Sequence, residues 1–370
     1  MTAGFVNHEL TYWHDVGAGA GFLEAGFPVQ PGWPGEHPET KRRFRNLLEL
    51  TPLWDQLHHI KPRAATDAEI MRFHTERYLN VVKELSKSPF GGDAGELARV
   101  GAGTYEIAAM ASGMTISAVE AVMRGDCTSA YALTRPPGHH ADADMGRGFC
   151  IFGNIVIAAK HCQAVHGMKR IAVVDYDVHH GNGTETAFYR DPSVLTISLH
   201  QDNMFPPDRG KVEHVGEGEG EGYCINIPMP PGSGSGAYDA AFKEVIVPAL
   251  QRYKPEIIFV ASGFDSSYYD PLGRMMLFSD DYRSISRQLM AVADEVCTGR
   301  LVFSHEGGYN PWYVPFCGVA VMEALCGSNN VIEDPYIGFP AAATYQSIQP
   351  HQRAVIDAVR QQTEKYWNSW

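Results

Sequence analysis

From about residue 130 onward the chain repeats one pattern: a short apolar run, a polar loop, then a stretch with helical spacing. The runs are Ala130-Tyr131-Ala132-Leu133, Ile171-Ala172-Val173-Val174, Val194 to Leu199, Ile257 to Ala261 and Leu301-Val302-Phe303. They are short and, Thr196 and Ser198 apart, apolar at successive positions, as strands buried on both faces require. Residues 155–165 and 280–297 space their apolar positions as helices do, with Ser279 as the N-cap candidate of the second. The alternation predicts an α/β fold, a mainly parallel sheet flanked by helices on both faces.

Upstream, Thr66-Asp67-Ala68-Glu69 is a capping-box sequence. Ile70, Met71, Phe73, Leu79, Val82 and Leu85 then fit one or two amphipathic helices. A longer helix is expected over 104–123, with Ile107, Met110, Met114, Ala118 and Val122 inward. His37-Pro38-Glu39 opens a basic helix through Lys41, Arg42, Arg43 and Arg45, which reads as a surface helix with a charged face. Residues 1–36 show no period and read as an irregular arm, and 351–370 as a C-terminal helix. No internal repeat or linker appears, so 1–370 is read as a single domain.

Charge narrows the function. Lys and Arg number 30 against 43 Asp and Glu, a formal net charge of −13, which argues against a nucleic-acid binder. The 7 cysteines are odd in number and form no CxxC pair, so a reduced, cytoplasmic protein is expected. Met1 to Val6 lacks the pattern of a signal peptide, and no run of about 18 apolar residues predicts a membrane span. Gly216 to Gly222 alternates Gly and Glu outside any strand–helix frame, so it reads as a solvated loop and not as a dinucleotide fingerprint.

Four polar loops each follow an apolar strand directly. They carry His139/His140, Asp175/Asp177/His179, Asp265 and Tyr309. Ligands of open parallel sheets bind beyond the carboxyl ends of the strands, so these loops should converge there. If the strand at 171–174 continues extended, Asp175, Asp177 and His179 point to one side. Such a crowd of like charges calls for a cation. Asp177, His179 and Asp265 offer an O, N, O set with an open position, which suits a catalytic zinc, though iron and manganese accept the same ligands. The bland reading makes Asp177 a helix cap, Asp265 a turn residue and His179 a core residue. Pro136-Pro137-Gly138 fixes the backbone before His139-His140, as an acid/base pair needs. Asp175 and Asn182 are candidates to orient those rings. Tyr309, after Gly307-Gly308, could donate to an oxyanion, or be a half-buried turn aromatic. Phe149 and Phe205 could line an apolar channel, although isolated aromatics are mostly core.

The motifs RPPGHH, GFC, DYDVHHGNG, SLH, SGFD and EGGYN, in this order from His37-Pro38-Glu39 to about Cys326, resemble the histone deacetylase family. The chain looks closest to its bacterial histone deacetylase-like amidohydrolases, similar to class II; Asn182, Glu306 and Leu272 carry the class II likeness. The resemblance implies the arginase–deacetylase fold with the active site at the carboxyl edge. It implies zinc-dependent hydrolysis of acetyl or related acyl groups from acyl-lysine side chains or small acylated amines, linear amides rather than peptide bonds. It assigns Asp177, His179 and Asp265 to one Zn2+, His140 as general base and acid, Asp175 behind His139, Asn182 behind His140, and Tyr309 as the transition-state tyrosine. A neutral Asn182 should leave the His140 pKa lower than a carboxylate would. Gly148, Phe149 and Phe205 match the acyl-lysine tunnel and Leu272 its rim; Asp93 or Glu96 matches an acidic rim residue. Structural K+ is implied at Asp175, Asp177, His179, Ser198 and Leu199, and a second K+ at Phe188, Asp191, Val194 and Tyr223. A homo-oligomer, dimer or tetramer, fits the family. The rivals are an acetylpolyamine amidohydrolase, a binuclear manganese hydrolase of the arginase kind, and a non-catalytic acyl-lysine-binding module.

Overall fold

The computed structural model describes residues 3–17, 19–20 and 23–367; the outermost parts of the expected arm and C-terminal helix, 1–2, 18, 21–22 and 368–370, lie outside the described residues. Eight strands build one sheet: β1 (Ala3–Val6), β2 (His58–His59), β3 (Ser129–Ala132), β4 (Ile171–Asp175), β5 (Val194–Gln201), β6 (Cys224–Met229), β7 (Ile257–Ser262) and β8 (Leu301–His305). Their order is β6-β5-β4-β7-β8-β3-β1-β2, and every neighbouring pair is parallel. The unbroken apolar runs have their cause here. In β4, Ala172 and Val174 enter one core while Ile171 and Val173 enter another on the opposite face. Helices cover both faces, so neither side of the strand meets water.

The helix Thr104–Arg124 is buried along most of its length and packs on the helix Asn154–His166 and on β1 and β3. Among the described residues it alone is long and apolar enough to cross a membrane, but 78% of that window is buried inside the protein. Its apolar character is that of a core helix. The Thr66–Glu69 sequence forms its capping box, with Thr66 N donating to Glu69 Oε2 at 2.8 Å, and two helices follow, Asp67–Ile70 and Glu76–Lys87.

Three expectations are corrected. The N-terminal arm is not wholly irregular: Ala3–Val6 is a buried strand between β3 and β2. Gly4 hides the apolar run; a Cβ there would come within 2.7 Å of Ile60 Cδ1. The basic helix, Glu39–Glu49, is not simply a surface helix, because Lys41 and Phe44 are fully buried in it. Ser279 begins the helix Ser279–Cys297 instead of capping it; its hydroxyl donates to Asp334 at 2.6 Å, while Asp281 accepts from Phe278 N at 2.9 Å. The Gly216–Gly222 segment is a loop with one short turn, and its glutamates face solvent.

Candidate active site

The loops leaving β3, β4, β7 and β8 meet at the carboxyl edge of the sheet. The chain leaves β4 at Asp175, and a set of turns then aims the side chains. Asp175 Oδ1 accepts from Asp177 N at 3.0 Å, and Asp177 Oδ1 accepts from His179 N at 2.9 Å. The expected single-sided strand is therefore corrected: hydrogen-bonded turns, not a pleat, bring these residues together, and the carboxylates supply the bonds. Asp265, after β7, accepts from Val178 N at 2.8 Å, and Asp177 Oδ2 accepts from Gly307 N, after β8, at 2.8 Å.

His179 Nδ1 stands 3.1 Å from Asp177 Oδ1 and 3.1 Å from Asp265 Oδ2, and all three residues are buried. Burial opposes protonating His179, but its bonds to the two carboxylates outweigh it and raise its pKa to about 10. Burial, reinforced by Asp177, pushes Asp265 up to about 6. Burial works against the charged form of Asp177 too, yet His139 and His179 hold its pKa below the ordinary value. A protonated His179 thus balances the two buried carboxylates, where one divalent cation would serve all three residues at once. The donor set, two carboxylates and an imidazole aimed at one point, fits such an ion. Gly307 keeps the point clear, since a Cβ there would collide with the Asp265 and Asp177 carboxylates.

The paired histidines stand beside this cluster, with ring centroids 4.0 Å apart. His139 Nδ1 meets Asp175 Oδ2 at 2.9 Å, and its Nε2 lies 3.9 Å from Asp177 Oδ1. Burial lowers the basicity of His139, but Asp177 and Asp175 outweigh it and bring its pKa to about 10. His140 goes the other way: burial, then the His139 and His179 charges, push it well below the ordinary value. Its Nδ1 lies 2.8 Å from the Asn182 amide. With Asn182 Oδ1 toward the ring, His140 carries its proton on Nδ1. With the amide reversed, the oxygen instead accepts from Arg147 Nη1 and Gly183 N, both at 3.2 Å, and the proton moves to Nε2. His180 is tied to Glu185 at 3.1 Å, away from the cluster.

Aromatic rings wall the site. Phe205 stands edge-on to His140 at 5.1 Å, and Phe149 lies 5.8 Å from Tyr309. Gly148 (φ +52°) leaves room for them; a Cβ there would come within 2.5 Å of His140 Cδ2 and 2.7 Å of Phe205 Cε1. Tyr309 is buried, and burial, with Asp265 nearby, keeps its hydroxyl protonated far above the ordinary value. Leu272 is half-buried in the loop after β7, which Asp270 ties to Tyr309: Asp270 accepts from Leu272 N at 2.8 Å through one oxygen and from Tyr309 N at 2.7 Å through the other. Sequence reasoning missed Asp270, because a lone Asp before Pro reads as an ordinary turn. Asp93 Oδ1 is engaged within its own loop by Gly95 N and Ala98 N, whereas Glu96 reaches Arg147 at 2.8 Å.

Of the two monovalent sites, the first has space beside it. Asp175 and Ser198 face each other across β4 and β5 and line a cavity of about 10 Å³ with Gly181, Glu185 and Asn226. Thr184 Oγ1 and Asn226 Oδ1, in the same lining, have no hydrogen-bond partner. One water-sized body fits there. Leu199 continues β5 beyond Ser198. At the second, Phe188, Asp191 and Val194 follow one turn, with Asp191 N on Phe188 O at 2.9 Å and Val194 N on Asp191 O at 3.3 Å, while Tyr223 O accepts from Thr196 N at 3.0 Å. These carbonyls already accept amide bonds, and none of the four residues has an unpartnered buried side-chain oxygen.

Glu120, His161 and His166 also cluster, on the far helices. Both Nε2 atoms sit 2.8 Å from the same Glu120 oxygen, and Arg72 donates to His161 Nδ1 at 2.8 Å. His161 therefore carries its proton on Nε2, so its lone pair is not directed at a metal.

A parallel sheet with His and Asp donors gathered at its carboxyl edge defines the arginase–deacetylase class of α/β fold, and the solved crystal structure of the HDA15 HD domain superposes with a TM-score of 0.84 at 27% identity, covering 99% of this chain and 95% of that one. The family model of the histone deacetylase domain matches residues 36–325. The chain belongs to the histone deacetylase family. It is 43% identical to a histone deacetylase-like amidohydrolase of Pseudomonas aeruginosa, over 90% of this chain and 89% of that protein. It is 34% identical to histone deacetylase 8 of Arabidopsis thaliana, over 95% and 94%, and 34% identical to a probable deacetylase of Archaeoglobus fulgidus, over 90% and 94%.

Proposed function

We propose that this family member is a zinc-dependent amidohydrolase that releases acetate and a free amine from acyl-lysine side chains or small acylated amines. One observation carries the reading: Asp177, His179 and Asp265 aim at a single buried point beside His140 and Tyr309. Zinc held by those three residues would polarise the amide carbonyl and acidify a water. His140 takes the proton of the attacking water at Nε2, which requires the amide orientation with Asn182 Oδ1 on the His140 Nδ1 proton. Its depressed basicity suits a group that must be neutral before it acts. The Tyr309 hydroxyl, held protonated, donates to the developing oxyanion. A protonated histidine of the pair then delivers the proton to the leaving amine. Phe149 and Phe205 would flank the methylene chain and exclude water. Potassium beside Asp175 and Ser198 would brace the β4–β5 edge.

The zinc-loaded protein should hydrolyse an acetyl-lysine peptide, and kcat/KM measured beside acetylputrescine shows which amine the rim prefers. Tyr309→Phe should lower kcat by about 10²–10³-fold, the cost of removing one oxyanion donor, with zinc content unchanged. Asp177→Asn should lose zinc and turnover together. Wild-type turnover in either variant would overturn the assignment.

A further inference from the structure

Glu306 has no role in the reading above, yet it is fully buried at the exit of β8. Its Oε2 accepts from Gly138 N at 2.6 Å and from His139 N at 3.1 Å. Its own amide donates to Ser262 O at 3.0 Å, at the end of β7, so the side chain springs from the junction of two core strands. The next amide in that loop, His140 N, has only the Cys150 sulfur, at 3.4 Å, a weak acceptor. Glu306 Oε1 is buried with no partner at all. Burying a carboxylate with one bare oxygen is costly, and the other oxygen shows what that cost secures.

We propose that Glu306 is a positioning residue: it ties the backbone of the His139–His140 loop to the β7–β8 junction and so sets both imidazoles at the metal-ligand cluster. The same junction sends Gly307 N to Asp177 Oδ2 at 2.8 Å, so two consecutive residues fix the histidine pair and a ligand relative to each other. What matters is an acceptor at the right reach, not the charge. A glutamine supplies that acceptor, an aspartate keeps the charge but withdraws it by one methylene, and a methionine removes it at similar volume.

The inference rests on the amidohydrolase reading for its kinetic test alone. In the zinc-loaded protein, Glu306→Gln should keep kcat within about threefold of wild type. Glu306→Asp and Glu306→Met should lose at least tenfold in kcat, with KM within twofold and zinc content unchanged; a 1 Å misplacement costs up to about 10²-fold. Independently of turnover, hydrogen–deuterium exchange over residues 136–141 should quicken at least tenfold in the Asp and Met variants and stay near wild type in Gln. If Met does not fold, the Asp and Gln pair decides. Wild-type kcat and exchange in Asp, or a Gln variant as impaired as Asp, overturns the proposal. A wild-type protein that turns over no acyl amide sinks the amidohydrolase reading instead, and the exchange result still judges Glu306.

Discussion

Gly148 shows how much of this site depends on single atoms. It takes a positive φ, and the volume a methyl group would need is already filled by His140 and Phe205. Gly148→Ala should therefore lower kcat by about tenfold or more, given the sensitivity of catalysis to displacement. On the zinc-dependent reading, zinc content should hold, because the atoms nearest that space belong to His140 and Phe205; a titration of bound zinc beside steady-state kinetics checks both halves. Phe149, next along, is a non-glycine residue at φ +69°, a conformation kept only where the surroundings impose it. Neither constraint was legible from the residues: a Gly-Phe pair carries no sign of its backbone angles. The donors were legible, since Asp and His types directly after apolar strands announce themselves. The contacts of Asp270 and of Glu306, which the family likeness had singled out, were not, because both reach backbone amides, and any amide in the chain offers the same partner.

At the level of elements, the helix Glu39–Glu49 joins parts that the sequence separates. Glu36, just before it, meets Lys41 at 3.2 Å and Arg135 at 2.9 Å, all three fully buried. Arg135, which opens the loop to the paired histidines, also donates to Thr11 O and His14 O of the N-terminal segment. One carboxylate thus serves two cations, and although burial opposes its charge, Arg135 and Lys41 hold its pKa far below the ordinary range. Glu36→Gln strands both cations and should cost about 3–5 kcal/mol, the range for breaking a buried pair. Lys41→Met leaves Glu36 with Arg135 and should cost less; urea midpoints of the two variants test the order. Charge-rich sequence points outward by default, so a Lys buried among arginines could not be told from its neighbours. The β4, β7 and β8 strands were readable because both faces are buried and their apolar runs are unbroken up to the strand ends, and β5 because Val194, Leu195, Ile197 and Leu199 outnumber Thr196 and Ser198 in its run. β1 was not, because Gly4 breaks its apolar run at the second position.

The stability of the whole molecule should depend on pH through its buried acids. Burial opposes the Glu185 charge, but its bond to His180, helped by Asn226 and Cys224, brings its pKa down to about 2. A depressed folded-state value means that the stabilisation is complete above the unfolded value, near 4.5, and is lost as pH falls toward 2. Its size is about 3 kcal/mol. Thermal unfolding between pH 5 and 2 should therefore fall more steeply in the wild type than in Glu185→Gln; equal slopes would show that another acid governs the acid limb.

The strand order has a consequence in time. β2, β1 and β3 join the rest of the sheet through one pairing only, Ser129–Ala132 against Leu301–Ser304. A chain emerging from the ribosome can pair its first three strands once residue 132 is made, but cannot join them to the rest of the sheet until residue 304 is made. Until then His139 and His140 belong to one fragment, and Asp177, His179 and Asp265 to another. Contacts this far apart in sequence close slowly, and the two halves of the site meet only once β8 has paired with β3. Any nascent or truncated chain ending before β8 should present sticky, unpaired strand edges and no hydrolytic activity.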